Sequence, residues 1–273
     1  MTIDDTLAGG LMNRYIRELG DSAERLRSIV LRENVGQGKP WEATVRRLDA
    51  ILDRYFAGYI VSKVVVLDKK RSYVEALVLL PVGAKNIKAG SFMMSSFKAS
   101  RGGVSLHPLS LRASFHWTRR VFQRRGVYDP ALVCQEVRAA LVGLSALGVT
   151  DSGYFEVPSV EGVSAVSINT NGVETITYMT DRQASEEQSR RWSEARGRIV
   201  EALGMTCWSD IVGLVKRPCW VAKPEKGVMT LRPKEPWRLS NGDPVILEDH
   251  PMDGMFIGIC RTDGAMSSVK LAA

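Results

Sequence analysis

The spacing of apolar residues changes near Ile60, and this change restricts the possible folds more than any other feature of the sequence. Before it, apolar residues such as Trp41 and Val45 recur three or four positions apart, which predicts amphipathic helices. After it, residues 60–68 and 73–81 are rich in valine and leucine, which favours strands. The sequence therefore predicts an α+β protein in which an N-terminal helical pair precedes a sheet.

Turn signals and composition divide the chain into three predicted segments. We expect a helical segment over residues 1–58 and an α+β domain with a central antiparallel sheet and packed helices over residues 59–204. Within it, Asn171-Gly172 lies between two β-rich runs and predicts a tight hairpin. Residues 205–273 contain short β-like runs separated by prolines. This pattern predicts a small β-rich C-terminal segment, either a separate module or a wrap on the main sheet.

The positive charge of the chain is concentrated in one window. No aspartate or glutamate occurs between Ala76 and Tyr128. The basic residues of this window are Lys85, Lys88, Lys98, Arg101, Arg112, Arg119, Arg120, Arg124 and Arg125. Without them, the 37 basic residues of the chain would no longer outnumber its 30 acidic ones. A polyanion is therefore the predicted partner of this region. Among polyanions we expect RNA more than DNA.

Other classes of site and location have weak sequence signals. The four cysteines form no CxxC pair, so we expect no structural zinc and no metal or cofactor. His250 lies among three acids, a pattern that is more typical of a solvated turn than of a metal site. The start of the chain lacks an apolar signal region, and the longest apolar run is too short for a bilayer. We expect a cytoplasmic protein that does not enter a membrane.

The most informative stretch is a predicted strand that leads directly into a helix. The helix begins near Ser114 and ends at Gly126. His116, Arg120 and Arg124 are spaced four residues apart, so they share one face of this helix. A surface with one imidazole among guanidiniums suits a phosphodiester ligand. The predicted nucleic-acid-binding surface also includes Lys98, Arg101, Arg112, Arg119 and Arg125.

A second predicted helix, residues 130–147, follows after a tight turn and raises the possibility of a DNA-binding helix-turn-helix. That second helix would be the reading helix, but it is apolar and carries only Arg138 as a basic residue. Reading base edges requires polar side chains on the recognition helix. The pattern therefore disfavours this class of DNA-binding protein.

The motif of the first helix resembles a known group of proteins. The residues that carry the resemblance are Ser114, His116, Arg120, Arg124, Gly126 and Val127. They are similar to the helix of small toxin-like ribonuclease domains of the barnase–EndoU–colicin–RelE group. The resemblance implies that His116 is catalytic and that Arg120 and Arg124 hold phosphate. It further implies a helper residue on the last strand of a meander, Thr177 or Tyr178.

The chemistry of metal-free RNA cleavage agrees with such residues. The neighbouring 2′-hydroxyl attacks the phosphate, so the reaction needs a base, an acid and cations on the phosphate oxygens. The imidazole of His116 can serve in either proton role, and guanidiniums grip phosphate. The second proton carrier is not fixed by the sequence, and Tyr178, Glu156 and Glu161 are the candidates. The acid-free window has no carboxylate to hold magnesium.

Two other functions remain open from the sequence. The same helix face can bind RNA or DNA without cleaving it. Alternatively, the chain is an accessory protein of a mobile element, and the basic face docks an acidic protein partner or inhibitor. The three hypotheses are a metal-independent endoribonuclease, a nucleic-acid-binding protein and a protein-docking module.

Overall fold

The computed structural model describes residues 3–35, 41–66, 72–81, 91–101, 103–149, 151–225, 228–245, 247–249 and 270–271. The helices are α1 (Asp5–Val35), α2 (Trp41–Phe56), α3 (Phe115–Arg125), α4 (Pro130–Ala146), α5 (Glu186–Ala202) and α6 (Trp208–Val215). The first strands are β1 (Ile60–Val66), β2 (Tyr73–Pro81), β3 (Ser91–Ser100), β4 (Gly103–Ser114), β5 (Gly153–Pro158) and β6 (Gly162–Asn169). The later strands are β7 (Gly172–Thr180), β8 (Cys219–Glu225), β9 (Val228–Pro233), β10 (Leu247–Asp249) and β11 (Lys270–Leu271). The α+β class predicted from the change of period is confirmed.

These strands form one mixed sheet in the order β11-β10-β9-β8-β1-β2-β3-β4-β7-β6-β5. The hairpins β1–β2, β3–β4 and β6–β7 are antiparallel. Parallel pairing joins β1 to β8 and β4 to β7. The prediction of an antiparallel sheet is therefore wrong at these two junctions. Each junction is made by strands that lie far apart in the chain, so their pairing leaves no local sequence signal.

The predicted Asn171-Gly172 hairpin is present and also joins two parts of the sheet. Gly172 has φ +113°, and a Cβ atom at this position would lie 1.8 Å from the carbonyl oxygen of Ser110 on β4. Glycine is therefore required for both conformation and space. The close approach brings β7 beside β4, with Val173 opposite Leu111.

The two faces of the sheet carry separate hydrophobic cores. On β2, Leu77 and Leu79 belong to the core that contains residues of α3, α4 and α6, whereas Ala76 and Val78 belong to the core that contains residues of α2. Alternate residues of a strand point to opposite faces. We call these the α3 face and the α2 face. Helix α1 contributes its first half to the α3-face core and its second half to the α2-face core.

The C-terminal strands extend the main sheet. Strand β8 pairs with β1, and Trp220 of β8 is buried in the same core as Trp117 of α3. Strand pairing thus crosses the boundary predicted after residue 204. Residues 205–273 also contain α6, which the prediction of a β-rich segment did not include.

A cluster of charged side chains on the α2 face holds α2 against the sheet. The side chain of Lys63 on β1 is fully buried and donates to Asp49 and Asp53 of α2. The Nζ atom of Lys234, after β9, lies 3.0 Å from Asp49 Oδ2 and 2.6 Å from Asp53 Oδ2. The two ammonium groups and two carboxylates balance in charge, which makes burial of Lys63 tolerable.

Arg138 of α4 is buried and binds backbone carbonyl groups. Its guanidinium donates to the carbonyl oxygens of Ile60, Val61 and Val215, the last at the C-terminal end of α6. Burial lowers the pKa of Arg138 to about 10. One side chain therefore joins α4, β1 and α6.

No helix in the described part of the chain is sufficiently long and apolar to cross a bilayer.

Replacing Arg138 is expected to destabilise the fold strongly. Arg138→Ala leaves three carbonyl oxygens without their donor and opens a cavity, so the free energy of unfolding should fall by about 3 kcal/mol. Urea denaturation followed by circular dichroism measures the change. The control is Arg198→Ala on the exposed side of α5, which should alter the free energy of unfolding by less than about 0.5 kcal/mol. Equal stability of the two variants would contradict this role of Arg138.

Candidate nucleic-acid interface

Helix α3 begins and ends where the sequence predicts. Ser114, the last residue of β4, is the N-cap, and its Oγ accepts from the Trp117 amide at 3.1 Å. Its hydroxyl also donates to the carbonyl oxygen of Ile176 on β7 at 3.2 Å. Gly126 ends the helix with φ +67°, and its amide donates to the Phe122 carbonyl. The strand-to-helix junction is therefore fixed at both ends and tied to β7.

One side of α3 is buried in the α3-face core. The buried residues are fully enclosed: Trp117, Val121 and Phe122 have no exposed surface. The indole Nε1 of Trp117 donates to Ser164 Oγ on β6 at 3.1 Å. The predicted face with His116 and the arginines lies away from these apolar residues. Burial of the apolar side therefore determines which residues of α3 face outward.

The α3 ridge consists of His116, Arg120 and Arg124. His116 is exposed, and the two arginines are half-buried. Arg120 Nη1 donates to Gln123 Oε1 at 2.6 Å, and Arg124 Nη1 donates to the carbonyl oxygen of Tyr178. Both recorded partners are uncharged, and within the described residues neither guanidinium forms an ion pair. The ridge therefore retains its positive charge.

The positive charge of the ridge affects the pKa of the His116 imidazole. Partial burial, and then the positive charges of Arg120, Arg119 and Arg124, lower the pKa of His116 below its ordinary value of 6.5. Burial and the charge of Arg120 likewise lower the pKa of Arg124. At neutral pH the imidazole is therefore mainly neutral and stands in a positive field. Such a group can accept a proton.

Three other cations of the predicted surface are paired with acids. Arg119 lies 3.0 Å from Asp5 Oδ1 on α1. Lys98 Nζ lies 3.5 Å from Glu75 Oε2. Arg125 has two acidic partners, considered below. The acid-free window in the sequence is thus partly neutralised by acids from other segments of the fold, and Lys98, Arg119 and Arg125 are not the free cations that we predicted.

Arg101 and Arg112 lie away from the α3 ridge. Arg101 is exposed in the turn between β3 and β4. Arg112 of β4 lies between Leu111 and Ala113, both of which belong to the α3-face core. Because strand residues alternate, Arg112 points to the α2 face. The predicted nucleic-acid surface is therefore too large: Arg112 is separated from α3 by the sheet itself.

The two predicted helper residues on β7 also lie away from the exposed ridge. Tyr178 is fully buried and its hydroxyl donates to Glu136 Oε1 at 3.2 Å. Burial, with the adjacent Glu136, raises its pKa. Thr177 precedes Tyr178 on the strand and therefore points to the opposite face. Neither side chain is retained in the candidate site, because a ligand on the outer side of α3 cannot reach them.

Of the other candidate proton carriers, Glu156 and Glu161 have different surroundings. Glu156 accepts from the Trp192 indole at 2.8 Å, on α5. Glu161 lies 3.2 Å from Arg125, at the last turn of α3. Arg125 is nine residues from His116, which is about 13 Å along a helix. Glu161 is therefore too distant to act on the same phosphodiester as His116.

Helix α4 is buried along most of its length, from Val133 to Leu144. It cannot enter a DNA groove, which agrees with the sequence argument against a helix-turn-helix reader.

The described residues contain no group of three or more His, Cys, Asp or Glu side chains placed to hold a metal ion. His250 lies outside the described residues.

Sequence reasoning missed the buried network that positions α3. Glu136 of α4 has a fully buried side chain and accepts from Arg125 Nη1 at 3.1 Å and from the Val160 amide at 3.2 Å, in addition to Tyr178. Burial raises the pKa of Glu136, although its hydrogen bonds and the charge of Arg125 oppose this rise. The only local signal was a glutamate on an apolar helix.

Comparison of the chain with protein-family models, curated protein sequences and solved structures gave no match. The candidate site is therefore interpreted from its own geometry.

Loss of Arg125 is expected to destabilise the fold more than loss of Arg119. Arg125→Ala leaves a carboxylate buried without its cation, which should lower the free energy of unfolding by about 3 kcal/mol at pH 8. Arg119→Ala removes one exposed pair on the same helix and should cost less than about 1 kcal/mol. Chemical denaturation of the two variants measures this difference.

The loss of unfolding free energy caused by Arg125→Ala, called the deficit below, should depend on pH. An acid whose pKa is higher in the folded state contributes stability at low pH, and that stability is lost as the pH rises through the folded pKa. Without Arg125 the pKa of Glu136 should rise further, so the deficit should be larger at pH 8 than at pH 5. A deficit independent of pH would show that Glu136 does not cause it.

Proposed function

We propose that the protein binds nucleic acid, RNA more than DNA, through the α3 ridge. The observation that carries the proposal is the pair of guanidiniums, Arg120 and Arg124, held by uncharged partners beside an exposed imidazole. Guanidiniums without acidic partners are available to phosphate oxygens. The partial positive charge at the start of α3, where His116 lies, adds to the attraction.

The size of the ridge limits the contact that it makes. His116 and Arg124 are eight residues apart, which is about 12 Å along the helix. This length accommodates about two consecutive phosphates of an extended strand. Among the described residues, the other cations of the window are paired or distant, so the electrostatic part of binding should arise from two or three contacts. Affinity should then fall only moderately with salt, with a logarithmic slope of about −2.

Reversing the charge of the ridge is expected to remove this binding. Arg120→Glu/Arg124→Glu should weaken binding of a fluorescein-labelled single-stranded RNA by about 100-fold at low salt, because two attractive contacts become repulsive. Fluorescence anisotropy at several salt concentrations measures both affinity and slope. The matched control is Arg101→Glu/Arg190→Glu, two exposed arginines elsewhere, which should change affinity less than about threefold. Equal losses in the two variants would contradict a site on α3.

RNA cleavage is the second candidate function, and the neutral imidazole of His116 favours it. An imidazole that is deprotonated at neutral pH can take the proton of the attacking 2′-hydroxyl, while Arg120 and Arg124 stabilise the charge that develops on the phosphate. This role agrees with the resemblance of the motif to toxin-like ribonucleases. A leaving-group acid among the neighbours of His116 is not identified, so binding is the function that the geometry supports better.

Binding and cleavage predict opposite effects of pH through His116. If it only binds, protonation adds a cation, so affinity for RNA should rise in the wild type as the pH falls through the lowered pKa of His116, and not in His116→Ala. If it is the base, cleavage in the presence of EDTA should rise with pH to a plateau near neutrality and be lost in His116→Ala. RNA that stays intact with both proteins would exclude the ribonuclease.

A further inference from the structure

A groove lies between the second half of α1 and helix α2. We call it the α1–α2 groove. It has a volume of about 430 Å³, and its lining residues are Arg25, Ser28, Ile29, Arg32, Ile51 and Tyr55. The α1 residues follow the i, i+3, i+4, i+7 spacing of one helix face. The volume lies within the range of small-molecule sites, so the groove has room for one nucleotide-sized ligand.

Two guanidiniums contact Tyr55, the aromatic side chain of the groove: Arg25 lines the groove, whereas Arg54 is not a lining residue but lies against the same ring. The Cζ of Arg25 lies 4.8 Å from the centroid of the Tyr55 ring, and that of Arg54 lies 5.2 Å from it. All three residues are exposed, Tyr55 at 42%. Since each Cζ lies about 5 Å from the same ring centroid, the two cations are at most about 10 Å apart, a distance over which like charges still repel. A nearby anion would relieve that repulsion.

Three acids close in sequence to these arginines are engaged with other cations. Glu24 pairs with Arg27 at 2.9 Å. Asp49 and Asp53 of α2 bind Lys63 and Lys234 in the buried charge cluster. In the described part of the chain, Arg25 and Arg54 form no ion pair. Arg25 and Arg54 therefore carry positive charge beside the groove that no ion pair within the described residues offsets.

We propose that the α1–α2 groove binds a nucleoside phosphate, with the phosphate on Arg25 and Arg54 and the base against Tyr55. Guanidiniums bind phosphate oxygens in bidentate fashion, and their planes and the tyrosine ring stack on bases. Ile29 and Ile51 supply an apolar floor for the base. Aspartate and glutamate side chains of an acidic peptide satisfy the cations but have no aromatic plane for the ring and the floor. The nucleotide is either free or one unit of a strand.

This groove is distinct from the α3 ridge. Asp5, at the start of α1, contacts Arg119 on α3, whereas Arg25 lies twenty residues later on the same helix. At 1.5 Å per residue these positions are about 30 Å apart. The inference therefore does not rest on nucleic-acid binding at α3, and each site can be disabled without touching the other.

Paired variants of the full chain test the groove. Arg25→Gln/Arg54→Gln removes the unpaired cations, and Arg27→Gln/Arg46→Gln removes the same charge from arginines that pair with Glu24 and Glu42. Titration calorimetry with AMP and anisotropy with a labelled ten-nucleotide oligouridylate measure binding. We expect the first variant to weaken binding of at least one probe about tenfold and the second to change it less than about twofold. Tyr55→Leu should weaken it about fivefold because the ring is lost.

Each outcome either shows whether the bound nucleotide is free or part of a strand, or overturns the proposal. Groove-dependent binding of AMP identifies a free nucleotide, and groove-dependent binding of oligouridylate alone identifies a strand. Binding of neither probe, equal losses in the two arginine variants, full affinity of Tyr55→Leu or equal competition by polyglutamate would overturn it. Arg120→Glu/Arg124→Glu should leave AMP binding intact. If that variant also keeps full affinity for oligouridylate while the groove variants lose it, the α3 proposal fails and the groove stands.

Discussion

The position of α3 depends on one buried carboxylate. Glu136 of α4 accepts from Arg125 on α3, from Tyr178 on β7 and from the Val160 amide between β5 and β6. A buried carboxylate is tolerated only when donors bind its oxygens, so α3, β7 and the turn between β5 and β6 must all stay close to α4. That arrangement turns the apolar side of α3 inward. The outward direction of His116 and Arg120 is a consequence.

The same requirement explains why the cationic surface is smaller than the sequence suggests. Nine cations without an acid nearby in the chain read as one basic patch, yet the fold supplies Asp5, Glu75, Glu136 and Glu161 from other segments. What remains outward and unmatched on α3 is the short ridge. The unmatched positive charge is confined to this ridge, so the contact with a ligand must be confined to the ridge as well.

Local signals predicted the local parts of the structure. The period change at Ile60, the Asn171-Gly172 turn and the limits of α3 at Ser114 and Gly126 each depend on neighbouring residues, and all are found. Parallel pairing of β1 with β8 and the position of Arg112 on the α2 face depend on strands from distant parts of the chain.

Ion pairs escaped prediction for a related reason. The sequence shows which side chains carry charge but not which ones meet, and the partner of Arg125 is on another helix. The apolar character of α4 concealed Glu136, and β1 likewise concealed Lys63, whose carboxylates are on α2. A charged residue within an apolar run is the signal that could have identified both, because such a residue is rarely buried unless it is paired.

The parallel junction between β1 and β8 has a consequence for biosynthesis. During translation β1 emerges early and acquires β2 on one side, while its other edge keeps unpaired backbone groups until β8 has left the ribosome. Folding of the sheet must therefore wait for contacts of high sequence separation, which form slowly. The acidic partners of Lys63 lie on α2, which precedes β1 in the chain, so they are available before β8 is synthesised.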